Sequence, residues 1–197
     1  MRILFALLAL FIALPALAAG PDAASLIAAA RSQVGVTVTY DPAYRKLSYP
    51  GGDVAQTLGV CSDVVIRAYR GVGLDLQKLV HEDMAQHFSL YPHQWGLTST
   101  DTNIDHRRVP NLQAFFTRHG KSLPITSDGN DYKPGDIVTW DLTPMARPLP
   151  HIGIVSDRKS EDGVRPLVIH NIGRGAQEED SLFTYKITGH YRYALKD

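Results

Sequence analysis

The 197 residues contain one cysteine, Cys61. A single thiol rules out an intramolecular disulfide and any zinc-ribbon arrangement. Neither sign of charge is in excess: 20 Lys and Arg stand against 20 Asp and Glu. That balance removes the electrostatic case for nucleic acid or an anionic membrane surface as partner. Internal repeats and low-complexity segments are missing too, as are long apolar runs beyond the first twenty residues.

The apolar run that is present spans Ile3 to Leu14, follows Arg2, breaks at Pro15 and ends in Ala16-Leu17-Ala18-Ala19. A membrane-spanning helix needs about 20 apolar residues, and a short run with a small-residue end reads instead as a secretory leader. Residues 1–18 are therefore expected to be a signal peptide cleaved after Ala18, with 19–197 forming one periplasmic or secreted domain that does not insert in a membrane. No cysteine lies near the cleavage point, which excludes a lipid-modified amino terminus.

Periodicity divides the mature chain in two. Asp22 is placed to cap a helix over Ala23–Gln33, Cys61 opens a helical pattern carrying Val64, Val65, Ala68 and Val72, and Asp75 precedes another helix over Leu76–His87. A further helix is expected over Pro110–Arg118. The last third reads as strands: Gly135–Trp140, His151–Ser156, Pro166–Ile172 and Gly189–Leu195. Helices followed by an antiparallel sheet make the expected fold class α+β.

A lone thiol in an exported chain is a buried small hydrophobe, an intermolecular disulfide partner or a nucleophile. At a helix N-terminus the dipole favours the thiolate, and an imidazole is the usual second component. Of eight histidines, His151 and His170 stand on apolar strands that would hold a ring rigidly. Alternation puts His151 and Gly153 on one strand face, and Gly153 is expected to let the Cys61 helix approach closely. His170 and Asn171 face opposite ways, so one of them can orient His151 by accepting its second ring N–H, and either residue type is suited to that role.

The order of Cys61, Gly135-Asp136-Ile137-Val138, His151-Ile152-Gly153-Ile154-Val155 and His170 resembles the NlpC-type papain-like peptidases of bacterial cell-wall turnover. The resemblance spans roughly residues 49–172. It implies a papain-like fold, a catalytic triad of Cys61, His151 and His170, no cofactor or metal, and peptidoglycan or muropeptides as substrate. It also implies that Tyr49, just before Gly51-Gly52, is the side-chain oxyanion donor, with Tyr44 as a second choice. Where the family reads Asp-Cys-Ser-Gly, this chain reads Val60-Cys61-Ser62-Asp63, and a segment of about 81–108 looks inserted. Across the whole mature chain, Gly59-Val60-Cys61, Asn103 to Arg108, Val168 to Gly173 and Gly189 to Tyr193 resemble the uncharacterised exported YijF-like family.

Other polar patterns are weaker. Asp101 to Asp105 imitates a calcium loop, but His106 replaces the glycine and Leu112 the bidentate glutamate. His81-Glu82 lacks the second histidine of a zinc-protease helix, because residue 85 is alanine. Asp105, His106, Arg107 and Arg108 are either a loop tied down by its own ion pairs or a grip for a substrate carboxylate. The functional expectation is a Cys-His-His thiol hydrolase acting on an amide bond. The alternatives are a non-catalytic binding module on the same fold and an acyltransferase using the same triad.

Overall fold

The computed structural model describes residues 20–143 and 147–195, so the expected leader lies outside the described residues. The fold is α+β. Four α-helices come first: α1 (Ala23–Arg31), α2 (Cys61–Gly71), α3 (Leu76–Gln86) and α4 (Val109–His119). Two short strands, β1 (Thr39–Tyr40) and β2 (Leu58–Gly59), pair in parallel just ahead of α2. Then follow β3 (Lys121–Ser122), β4 (Ile137–Asp141), β5 (Pro150–Lys159), β6 (Pro166–Asn171), β7 (Ala176–Glu179) and β8 (Lys186–Arg192). These six form one antiparallel sheet in the order β3-β8-β4-β5-β6-β7.

Local chemistry sets the helix starts. Asp22 accepts the Ser25 N–H at 2.7 Å and Asp75 accepts the Gln77 N–H at 3.1 Å, each satisfying an amide the first turn leaves open. In α2 the capping acid is Asp63, which accepts the Val60 N–H at 2.7 Å from inside the first turn. Helix α4 has Pro110 in its first turn, where no amide donor is needed.

The sheet is buried on both faces. Ile137, Ile152, Ile154 and Ile169 pack with Val64, Val65, Leu26 and Phe116 of the helices. Val138, Trp140, Val155 and Val168 form a second core with Tyr132 and Leu182 on the other side. Period-two alternation produces this split, since residues 137 and 138, 154 and 155, and 168 and 169 change face in turn. The pairing of Trp140 with His151 and of Gly153 with His170 puts both imidazoles on the Trp140 face.

Two features hold the segment before α2. Arg67 donates to both carboxylate oxygens of Asp53, to the Thr37 hydroxyl, and to the carbonyls of Val54, Ala55 and Leu58. Asn171 donates to the Gly59 carbonyl at 3.0 Å, tying that segment to the end of β6. The 81–108 segment begins inside α3 and continues as short 3-10 turns at Phe88–Leu90, Gln94–Gly96 and Asp105–Arg107. Asp83 anchors it by accepting from Tyr91 at 2.6 Å and from Arg118 of α4 at 2.7 and 2.9 Å.

Candidate active site

Cys61 is the first residue of α2, 4 % exposed, on the wall of a cleft of about 320 Å³. The backbone N–H groups of Ile152, Ser62 and Cys61 itself turn toward the sulfur and favour the thiolate. Burial acts the other way and is the largest influence; with the Asp63 carboxylate nearby, it pushes the thiol up to about 11. Desolvation therefore outweighs the helix N-terminus, and the resting group is a neutral thiol rather than the thiolate that the helix position alone suggests.

His151 stands one residue before Ile152 on β5, buried and tilted over Trp140. Its Nε2 lies 2.7 Å from Nδ1 of His170, and Nε2 of His170 lies 2.9 Å from the Glu179 carboxylate on β7. The carboxylate only accepts, so His170 carries its proton on Nε2 and presents Nδ1 as an acceptor. His151 must then donate from Nε2, which leaves its Nδ1 with a free lone pair. Burial, reinforced by His170, depresses His151 to about 3, and burial also lowers His170 although Glu179 opposes it. Both rings are neutral near pH 7, in keeping with these tautomers. Among the described residues no hydrogen bond joins the Cys61 sulfur to His151.

Glu179 gives no signal in the sequence. It lies in an irregular acidic run, Gln177-Glu178-Glu179-Asp180, and only the register of β6 with β7 brings it to His170. Arg174 pairs with its other oxygen at the surface. Tyr40 carries no sequence signal either. Strand β1 pairs Tyr40 with Gly59, two residues before the cysteine, and its hydroxyl is in hydrogen-bonding contact with the thiol.

The remaining sequence candidates fall at distinct places. Tyr49 packs edge-on against His81, ring centroids 5.2 Å apart, and does not line the cleft. Tyr44 donates to Asp101 at 2.9 Å. Asn171 is engaged with Gly59 and accepts from the Gly173 N–H, so the partner of His151 is His170. The space over Gly153 is filled by its own sheet, not by the cysteine helix: a Cβ there would lie 2.7 Å from Val168 Cγ1 and 3.0 Å from His170 Cβ.

The Asp105–Arg108 cluster divides. Asp105 is buried and accepts from His81 and from the Asp101 amide, both through Oδ2. His106 is buried, and burial with two nearby arginines drives it down to about 3. Arg107 grips Asp63 with two bonds of 3.0 and 2.9 Å, and its carbonyl accepts the Ser62 hydroxyl at 2.8 Å, which fixes the loop to the first turn of α2. Arg108 lines the cleft beside Arg107 but has no ion-pair partner among the described residues; its guanidinium lies 4.6 Å over the Trp95 ring.

A domain of unknown function, DUF1287, matches residues 27–193, and the chain belongs to that family. It is also 60% identical over 167 residues to the uncharacterized protein YijF of Escherichia coli strain K12, a match covering 85% of this chain and 80% of that protein.

Proposed function

We propose that this protein is an exported thiol hydrolase of NlpC-type papain-like architecture that cleaves an amide bond in peptidoglycan or its muropeptides. The observation that carries this reading is the chain His151, His170, Glu179, which fixes the tautomer of a buried imidazole one residue from the amide that points at Cys61. A structural histidine has no need of that arrangement, whereas a general base does.

In this mechanism the thiol loses its proton to Nδ1 of His151 as the sulfur attacks the substrate carbonyl, so charge develops only with substrate present. The Cys61 N–H and the Tyr40 hydroxyl are the donors available to the oxyanion. As the C–N bond breaks, His151 returns the proton to the leaving amine, and a thioester remains on Cys61. Water, deprotonated by His151, then releases the acid and restores the thiol. Delivery of the same acyl group to an amine or hydroxyl would make the protein an acyltransferase.

A second reading keeps the cleft for recognition without chemistry. The observation that favours it is the neutral, buried thiol. The test is to incubate residues 19–197 with purified sacculi and muropeptides in isotopically heavy water and read the soluble products by mass spectrometry. Hydrolysis predicts new carboxyl ends carrying the heavy oxygen, lost in Cys61→Ala and His151→Ala. Products without heavy oxygen indicate transfer. Absence of product from folded wild-type protein that still sediments with sacculi, as does Cys61→Ala, would establish the binding module instead.

A further inference from the structure

We propose that Arg108 is the receptor for a carboxylate on the ligand that enters the Cys61 cleft, so that the substrate is an acidic peptide held by its carboxylate beside the reactive carbonyl. The inference rests on reading that cleft as a substrate site, and it adds the chemical class of what is bound.

The cleft is walled largely by apolar groups, including Val60, Ile104 and Pro110, and among the described residues no acid lines it. Two arginines do. Arg107 is neutralised by its two bonds to Asp63. Arg108 has no such partner among the described residues, and its Nη1 is buried without a hydrogen bond. Asp101 is close enough to be influenced by it, yet that carboxylate is taken by the Tyr44 hydroxyl and the Asn103 amides. A buried cationic N–H left unmade is costly, and the group that best relieves it is a carboxylate meeting the planar fork.

Two features preorganise Arg108 for this. The Trp95 face holds the guanidinium plane at 4.6 Å, which restricts its rotation. Arg108 is also the N-cap residue of the eleven-residue α4, with no side-chain cap bond, and Val109 and Pro110 of its first turn line the same cleft. The positive end of α4 thus adds to the arginine's field. Val60 supplies the complementary negative feature: the position before the cysteine offers no acid to repel an anionic ligand.

The test compares alkylation of Cys61 by iodoacetate, which carries a carboxylate, with alkylation by the neutral iodoacetamide, in wild type, Arg108→Gln, Arg108→Lys and Trp95→Leu. The ratio of the two rate constants cancels any effect of a substitution on the thiol itself. Folded wild type is expected to favour iodoacetate about 10-fold or more relative to the same protein unfolded. Arg108→Gln should bring the ratio to the unfolded value, Trp95→Leu should lower it, and Arg108→Lys should recover only part, because charge without a fork is a poorer match. A wild-type ratio equal to the unfolded one, or one unchanged in Arg108→Gln, overturns the proposal. An Arg108-dependent ratio in a protein that releases no heavy-oxygen product from muropeptides would fault the hydrolase reading while leaving the carboxylate site standing. Heavy-oxygen product together with a ratio indifferent to Arg108 would do the reverse.

Discussion

At the scale of single residues, the site is defined by groups held neutral. Because burial raises the Cys61 thiol to about 11, its alkylation by iodoacetamide should accelerate about tenfold per pH unit across pH 7–10, with no plateau near neutrality. A plateau below pH 8 would show that a thiolate exists before substrate arrives. Glu179→Gln tests the tautomer chain. A glutamine can offer His170 an N–H in place of an acceptor, which permits the wrong tautomer to reach His151. For the proposed hydrolase the expected result is a fall in kcat of about 10- to 100-fold with KM little changed, as second-sphere losses usually run. Equal loss in kcat and rise in KM would instead mark Glu179 as a binding residue. For Gly153→Ala, the added carbon meets Val168 and His170 at distances a packed sheet does not allow. A destabilisation of about 1–3 kcal/mol is expected in denaturant titration, with activity lost beyond what the lost stability explains.

At the scale of elements, the helices were legible because each carries its own start signal and apolar spacing. Asp22 and Asp75 mark the starts of α1 and α3, and Cys61 opens α2 as the spacing of Val64, Val65 and Ala68 predicts. Strands β4, β5, β6 and β8 were legible from apolar runs, although β8 begins at Lys186, before Gly189. The pieces that complete the site were not. Strands β1 and β2 are two residues each and β7 is four polar or small residues, too short or too irregular for alternation to register. Their placement depends on partners distant in sequence, chiefly Arg67 and Asn171. Arg67→Ala should therefore cost about 3–5 kcal/mol, the usual result of breaking a buried ion pair. The same variant should lose cleft chemistry even under stabilising conditions, because Tyr40 and Cys61 both adjoin the segments it holds. Retained activity at full stability would show that those loops are positioned without it.

At the scale of the whole molecule, burial of His106, His151 and His170 makes stability depend on pH in a definite direction. Each is held below its unfolded value, and His106 and His151 fall to about 3. Below about pH 6.5 the unfolded chain takes up protons that the folded chain refuses, so stability is full above that value and declines as pH falls toward 3. The slope is up to about 1.4 kcal/mol per pH unit for each histidine that stays neutral. A thermal melt series from pH 7 to pH 4 should show a steady drop in Tm, partly removed in His106→Gln. A flat series would mean that these rings are protonated in the folded state.

The two tryptophans occupy opposite optical environments. Trp140 is closed in the second core with its indole N–H donated to the Leu182 carbonyl, while Trp95 is 57% exposed at the mouth of the cleft beneath a guanidinium. Emission from the first should be blue-shifted and shielded from acrylamide, and emission from the second red-shifted and quenchable. An anion that pairs with Arg108 over the indole would change only the quenchable component. Occupancy of the cleft can thus be followed by native fluorescence, with no label and no substrate turnover, for any anion that enters it.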